Sequence, residues 1–363
     1  MTAMLMTGFP GFLGSALLPR LLARRDKLRV LCLVQPKQAA TAQQRLEAIQ
    51  SAHPHTRRRI GLVEGDITAA GLGVDPAARR RLGAVDEVWH LAAVYDLAVP
   101  HRVATRVNVG GTARVLEFCE SRRHFNRLNY VSTCYVSGRY RGEFSEDGLD
   151  EGQPFRNHYE STKFEAELLV RQAMASGLPA TIYRPGIVVG DSHTGETQKY
   201  DGPYFLATFL RRQLPVAVVP AVGALDRVRV SVVPRDFVVE AMDQLSVLEG
   251  AAGRTFALTD PHPPTVRELV DTFASHLGKR VIWLPLPLQV TRLAIDRVPF
   301  MEQLLGLPAE ALDYFASPTT YSTANTVAAL AGTGLQCPSF ESYAGKLLDF
   351  MVRHPEIGSA PMV

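Results

Sequence analysis

Met4-Leu5-Met6-Thr7-Gly8-Phe9-Pro10-Gly11-Phe12-Leu13-Gly14 runs from a short apolar segment through three glycines spaced three residues apart and into a helical pattern. A first strand, a tight turn that follows it and the opening of the first helix account for all of it. Glycine lets the backbone turn sharply and approach a ligand closely. The helix N-terminus adds unpaired N–H groups and the positive end of a dipole. Such a turn suits a dinucleotide pyrophosphate, with Thr7, Gly8, Pro10, Gly11, Phe12 and Leu13 as its candidate contacts. The spacing is G-x-x-G-x-x-G, not G-x-G-x-x-G, and a purely structural strand-to-helix turn also uses glycine.

Working outward, short aliphatic or β-branched runs alternate with longer helical stretches. Strands are expected at Met4 to Met6, Leu28 to Val34, Ile60 to Glu64, Glu87 to Ala92, Leu128 to Ser132, Thr181 to Val189 and Thr255 to Leu258. Crossover helices are expected at Leu17 to Arg24, Arg102 to Ser121 and Tyr159 to Met174. This pattern predicts an α/β fold, a Rossmann-type doubly wound parallel sheet with a smaller C-terminal lobe. The dinucleotide-binding part takes residues 1–190 and is completed by about 227–260; the lobe takes 191–226 and 261–363. A strand-like return is expected at Val228 to Val233. Thr265 and Glu268 have the spacing of a capping box, which starts a helix that runs to about Leu277. A second lobe helix is expected from Val290 to Leu305. There is no internal repeat or low-complexity tract.

Composition narrows the function classes. The chain has 363 residues, 46% of them hydrophobic and 21% charged, enough for a sizeable core. A formal charge of +3 gives only a weak positive field, and the basic runs Arg57 to Arg59 and Arg79 to Arg81 lack interleaved aromatics, so no nucleic-acid partner is expected. Cys32, Cys119, Cys134 and Cys337 form no C-x-x-C pair and no histidine cluster accompanies them, so neither a disulfide framework nor a metal site is expected. The N-terminus lacks a basic region before its apolar run and does not read as a secretory signal, which favours a cytoplasmic protein. Leu214 to Val222 is broken by Pro215 and Pro220 and is far short of the roughly 20 residues that span a bilayer, so no transmembrane segment is expected.

Further candidate residues stand at strand ends. An acid that holds ribose hydroxyls belongs about 20 residues after the glycine turn, where this chain has Val34-Gln35-Pro36-Lys37. No carboxylate there repels a 2′-phosphate, and Lys37, Arg24 or Arg25 could pair with one, so NADP is favoured over NAD, with Gln35 and Lys37 as contacts. Asp66, followed by Ile67, ends the third strand and can accept from an adenine amino group; the alternative is a loop-capping role. The fourth strand ends His90-Leu91-Ala92-Ala93, where the small alanines let the chain pass close to a cofactor at Leu91, Ala92 and Ala93, or serve tight helix-sheet packing. Tyr159 and Lys163 form an i, i+4 pair on one helix face. A cation near a phenol favours its ionised form and draws its pKa down from about 10, as proton transfer to a carbonyl requires. Thr133, at the end of the fifth strand, adds a hydroxyl that can orient the substrate oxygen.

Taken in order, Thr7 to Gly14, Asp66, His90 to Ala93, Asn108-Val109-Gly110-Gly111-Thr112, Ser132-Thr133, Tyr159-x-x-x-Lys163 and Arg184-Pro185-Gly186 resemble the extended short-chain dehydrogenase/reductases over nearly the whole chain. The resemblance implies Thr133, Tyr159 and Lys163 as a catalytic triad, with Lys163 also on the nicotinamide ribose, Asn108 supporting the proton path, and Pro185, Gly186, Ile187 and Val188 lining the nicotinamide. The run Tyr183 to Ser192, with Thr194-Gly195, resembles the male-sterility-like subgroup of fatty-acyl and thioester reductases; sugar-nucleotide epimerases tend to carry Asn where Ile187 stands. Gln35 departs from the subgroup, which commonly has Arg after the second strand.

On this reading hydride from NADPH reaches a carbonyl or acyl thioester with an apolar chain, and Tyr159 or Thr133 stabilises the oxygen; from a thioester a thiolate then leaves, and the aldehyde is either released or reduced again with Tyr159 as proton donor. Cys134 is not needed as a nucleophile. Tyr204, Phe205, Leu206 and Phe209, and Trp283, Leu284, Leu286 and Leu288, are candidate walls for an apolar chain or the lobe's own core. His158 and His193 are expected to be exposed, and Glu143 to Glu151 to form a solvated loop. The expected partner is a small molecule, either acyl-CoA or an acyl thioester on a carrier protein, and the resemblance suggests a homodimer. An alcohol dehydrogenase or 3-oxo reductase, a sugar-nucleotide enzyme of the same family and a catalytically silent NADP-binding sensor or scaffold are the competing readings.

Overall fold

Seven strands form one parallel sheet in the computed structural model, which describes residues 3–95, 99–221, 224–285 and 317–358. In chain order the strands are β1 (Ala3–Thr7), β2 (Arg29–Val34), β3 (Ile60–Glu64), β4 (Val85–His90), β5 (Arg127–Val131), β6 (Gly142–Phe144), β7 (Ala180–Pro185), β8 (Ile187–Val189), β9 (Val216–Ala221), β10 (Val232–Pro234), β11 (Thr255–Leu258), β12 (Arg280–Pro285) and β13 (Thr319–Tyr321). The helices are α1 (Phe12–Arg24), α2 (Ala39–Ala52), α3 (Pro76–Leu82), α4 (His101–Ala104), α5 (Gly111–Glu120), α6 (His158–Ala175), α7 (Pro203–Arg212), α8 (Arg235–Ser246), α9 (Val266–His276), α10 (Ala324–Leu330) and α11 (Phe340–Arg353).

The main sheet has the order β3-β2-β1-β4-β5-β7-β11. The chain winds outward from β1 to β3, then returns to place β4 on the other side of β1. That reversal opens a crevice at the carboxyl ends of β1 and β4, where Thr7 is registered against His90. Both sheet faces are covered. Leu17, Leu21, Trp89, Phe237 and Phe256 belong to one buried cluster, and Leu5, Val88, Leu116, Tyr130 and Val170 to another. Each such aliphatic side chain contributes about 1.5–3 kcal/mol on burial. The C-terminal region has its own core around Phe209, Phe273, Phe340 and Leu347.

Several boundaries differ from expectation. The helix expected from Leu17 begins at Phe12, because extended Gly11 already serves as its N-cap. The fourth strand runs Val85–His90, and Leu91 and Ala92 leave the sheet. The single strand expected over Thr181 to Val189 breaks at Gly186; β7 stays in the main sheet, and β8 pairs with β10 instead. At the break the chain turns onto β10, the Ile187 N–H donating to the Ser231 carbonyl at 2.7 Å, and the approach is so close that a Cβ at Gly186 would lie 2.5 Å from that oxygen. The return expected over Val228 to Val233 is regular only at β10. Arg102 to Ser121 is helical, but with π geometry over Thr105–Gly110 between α4 and α5. The capping box is present: Thr265 Oγ1 accepts from the Glu268 N–H at 3.2 Å and Glu268 Oε2 from the Thr265 N–H at 2.7 Å. Leu214 to Val222 contains β9, and no helix among the described residues is long and apolar enough to cross a membrane. The helix expected over Val290 to Leu305, together with Leu286 and Leu288, lies outside the described residues.

Candidate functional site

The glycine turn closes on backbone. Gly8 has φ +88°, and a Cβ there would stand 2.8 Å from the Ala92 nitrogen and from the Leu91 carbonyl carbon. Cβ atoms at Gly11 and Gly14 would lie 2.7 and 2.8 Å from the Gly8 carbonyl oxygen. The Gly11 N–H donates to that oxygen at 2.9 Å. Gly11 carries no side chain to cap α1, so the first-turn N–H groups at Phe12 and Leu13 are offered at the crevice. The spacing therefore builds a turn that only glycine fits.

Behind the turn runs a chain of hydrogen bonds with a fixed direction. The Ala92 N–H donates to Thr7 Oγ1 (3.2 Å), which lies 2.7 Å from His90 Nδ1. His90 Nε2 is 3.0 Å from Thr112 Oγ1, and Thr112 donates to the Asn108 carbonyl at 2.6 Å. Since Thr112 spends its proton on Asn108, His90 Nε2 is the protonated nitrogen and Nδ1 accepts from Thr7. Burial, then the charge of Lys163, lowers His90 to about 3. The ring is neutral.

At the far end of β2 and β3, Gln35 and Asp66 meet. Burial acts to raise the Asp66 carboxyl, but hydrogen bonds from Thr68 and Gln35 and the charge of Arg106 outweigh it and hold the group below its ordinary value. Asp66 Oδ1 accepts from the Thr68 N–H at 2.8 Å, so the loop-capping role is present. Ile67 packs beneath α5, where a Cβ at Gly111 would come within 2.7 Å of its Cδ1. Lys37 is exposed in the turn after β2. Arg24 and Arg25 are not there: at the C-terminal end of α1 they pair with Asp243 at 2.8 Å and Glu87 at 2.5 Å, so, contrary to expectation, neither faces a 2′-phosphate.

Thr133, Tyr159 and Lys163 come together at the carboxyl end of β5. Asn157 caps α6 by accepting from the Glu160 N–H at 3.0 Å, which places Tyr159 in the first turn. Tyr159 is half-buried and its hydroxyl is hydrogen-bonded to Thr133. Thr133 Oγ1 accepts from the Tyr135 N–H at 3.2 Å and lies 3.5 Å from the Pro185 carbonyl oxygen. Lys163, 3% exposed, donates to Tyr130 Oη at 3.0 Å and to the Val131 carbonyl at 2.8 Å. Burial lowers its ammonium to about 7, against the pull of Glu167. The expected lowering of Tyr159 is not found; burial raises the phenol to about 12, opposed by the Thr133 bond, because Lys163 is turned to β5. Asn108 is fixed by its side chain: Oδ1 accepts from the Val94 N–H (2.9 Å), and Nδ2 donates to the Val94 carbonyl (3.1 Å) and to Thr162 Oγ1 on α6 (3.0 Å). The π segment thus ties the loop after β4 to the helix of Tyr159.

Pro185, Gly186, Ile187 and Val188 pass the same edge, with the Ile187 N–H on the Ser231 carbonyl at 2.7 Å. Cys134 is buried against the Arg184 carbonyl at 3.0 Å, and burial pushes its thiol up, so it is inert as a nucleophile. Tyr204, Leu206 and Phe209 belong to the C-terminal core, Trp283 packs partly against it, Phe205 is partly buried and Leu284 is exposed. His158 and His193 are exposed. The stretch Glu143 to Glu151 is not wholly solvated: Glu146 is buried and accepts from the N–H groups of Ala257, Asn325 and Thr326.

Sequence reasoning missed the support behind the site. Glu167, fully buried, takes Arg184 on both oxygens (2.6 and 3.1 Å) and the Ser132 hydroxyl at 2.6 Å. Its signal was the i, i+4 step from Lys163. Tyr130 stands three residues before Thr133 on β5, and nothing in that local run marks its hydroxyl as a partner of Lys163.

Residues 6–242 match the Male sterility protein family. The terminal R domain from the myxalamid PKS-NRPS biosynthetic pathway has a similar structure, with TM-score 0.82 and 29% identity over 98% of this chain and 92% of that one. The non-canonical nonribosomal peptide synthetase FrzA of Cladobotryum sp is 25% identical over 389 residues, 95% of this chain and 36% of its own length. Aldehyde reductase lnbA of Aspergillus flavus is 26% identical over 322 residues, 84% of this chain and 31% of its own length. The chain spans a minor share of such curated relatives, from 5% to 36% of their length in three of them.

Proposed function

Because the chain belongs to the Male sterility protein family and is an NAD(P)-dependent reductase of the extended short-chain dehydrogenase/reductase type, we propose that it reduces an acyl thioester with an apolar chain, carried on coenzyme A or a carrier protein, to the aldehyde and free thiol. The observation that carries this reading is the meeting of Thr133, Tyr159 and Lys163 at the carboxyl end of β5, on the crevice edge that also holds the glycine cradle.

Thr7, Gly8, Pro10, Gly11, Phe12 and Leu13 would hold the pyrophosphate. Gln35, Lys37, Asp66 and Ile67 would hold the adenosine end, Leu91, Ala92 and Ala93 the crevice wall, and Pro185 to Val188 the nicotinamide end. With no carboxylate after β2 and Lys37 exposed where it can meet a 2′-phosphate, NADPH is the preferred cofactor. Bound there, it supplies a hydride. Tyr159 and Thr133 hydrogen-bond the substrate oxygen and stabilise it as negative charge develops. Raised to about 12, Tyr159 keeps its proton at neutral pH and donates it to the oxygen; when the C–S bond of the resulting hemithioacetal breaks, that oxygen gives up its proton to form the aldehyde and the departing sulfur takes one up as the thiol. Lys163 holds the ribose and, as a cation, favours the ionised phenol once Tyr159 has donated. Asn108 keeps the helix of Tyr159 in register with the loop after β4. The region 191–226 with 261–363 would hold the acyl chain, apart from the dinucleotide-binding part at 1–190 and about 227–260. The place of such chains within longer synthetases favours a thioester on a carrier protein over a free one.

The test follows NADPH and NADH absorbance with the purified protein against a long-chain acyl-CoA, a carrier-bound acyl thioester, an aldehyde and a ketone, with thiol release recorded in parallel. NADPH loss matched by thiol release is expected with a thioester, and Tyr159→Phe is expected to lower turnover by about 10²- to 10⁴-fold while NADPH still binds. Turnover of ketone alone, or undiminished turnover by Tyr159→Phe, would refute the reading.

A further inference from the structure

Lys163 carries three N–H donors. Two have partners on β5, Tyr130 Oη and the Val131 carbonyl, and among the described residues the third has none. We propose that Tyr130 is a positioning residue for Lys163, whose hydroxyl, with the Val131 carbonyl, fixes the ammonium so that its remaining donor is left for the reacting side of the site. The proposal rests on the role given to Lys163 above.

Packing holds the Tyr130 side chain tightly against its neighbours. It is 1% exposed, its ring centre lies 5.6 Å from that of His90 on one side, and Lys163 Nζ stands 4.6 Å from the ring centre. Phenylalanine would fill the same room. A phenol there puts a hydroxyl into the interior, which costs free energy unless it is paired; it pairs with the lysine at 3.0 Å, and the hydroxyls of Thr112 and Ser132 are further hydrogen-bond partners. Burial, then the charge of Glu167 and the nearby Tyr159, raises the phenol well above its ordinary value, so Tyr130 stays neutral and accepts from the ammonium without competing for its proton. The titratable groups around Lys163 are Tyr159 and Glu167 on its own helix, Tyr130 on β5 and His90 on β4. Through the His90 ring contact, the clamp abuts the hydrogen-bond chain that runs to Thr7 at the glycine turn.

The experiment compares Tyr130→Phe with Tyr183→Phe. Tyr183 is a second buried phenol, bonded through its hydroxyl to Asn129 Oδ1 at 2.9 Å, so its loss controls for a buried hydroxyl removed elsewhere. Charge-assisted hydrogen bonds support an expected fall in kcat of about tenfold or more for Tyr130→Phe, with KM for the thioester little changed. Removing an acceptor from the ammonium favours the neutral amine, so the high-pH limb of kcat is expected to move to lower pH. Tyr183→Phe is expected to leave kcat and the limb in place. Rates are read below the melting range of both variants, and NADPH binding is followed by fluorescence. An unmoved limb in Tyr130→Phe, or equal effects of the two variants, overturns the proposal. Lys163→Met is measured alongside: if it retains full turnover, the role of Lys163 itself fails, which is a different outcome from a failure of Tyr130 alone.

Discussion

Replacing His90 by Asn should flatten the acid dependence of stability. The imidazole is 1% exposed, accepts from Thr7 at Nδ1 and donates from Nε2 to Thr112, so a second proton would have to displace a donor that already points at Nδ1. Burial and the charge of Lys163 lower its value to about 3, against about 6.5 in an unfolded chain. The folded value is depressed, so below pH about 6.5 the unfolded state takes up a proton that the folded state refuses. Stability from this group is therefore full above that value and falls with acid by up to about 1.4 kcal/mol per pH unit until the folded form titrates near 3. Between pH 7.5 and pH 5 the loss comes to about 2 kcal/mol. Urea unfolding of wild type and His90→Asn at the two pH values isolates it, because titrations elsewhere are common to both proteins. Wild type should lose about 2 kcal/mol more than the variant on acidification. Equal losses would refute the neutral, direction-fixed histidine and the hydrogen-bond order built on it.

Three further outcomes follow from the same geometry. Gly8→Ala forces a side chain onto φ +88° and into the Leu91–Ala92 backbone, so NADPH affinity by fluorescence titration should weaken by about tenfold or more; unchanged affinity would remove the cofactor from this turn. Glu167→Gln leaves Arg184, 1% exposed, without its charge partner and should cost about 3–5 kcal/mol in urea unfolding, a loss that a surface ion pair would not show. Lys37→Ala should lower the ratio of kcat/KM for NADPH over NADH, whereas Arg24→Ala, which breaks a pair with Asp243, should leave that ratio in place; the reverse pattern would move the 2′-phosphate contact elsewhere.

What the sequence reveals of this molecule follows the range of the interaction. The sheet is legible because each of its strands is a local apolar run bounded by turn residues, and the glycine turn is legible because the close approaches of Gly11 and Gly14 to the Gly8 carbonyl lie within seven residues, although the approach of Gly8 to Leu91 and Ala92 is not local. Arg24 and Arg25 mislead for the same reason. They follow the turn closely in sequence, but α1 has 13 residues and rises about 1.5 Å per residue, which carries its last turn about 20 Å away, to the opposite end of the sheet. The break at Gly186 depends on Ser231, a contact no local pattern carries. At the candidate site the i, i+4 step correctly places Tyr159 and Lys163 on one helix face, yet it says nothing of what packs against that face. There Tyr130, on a strand 33 residues away, takes the ammonium, and burial instead of the neighbouring charge decides the direction in which the Tyr159 phenol shifts. A helix face supplies the residue types for proton transfer; the strand beneath it sets where their protons and charges reside.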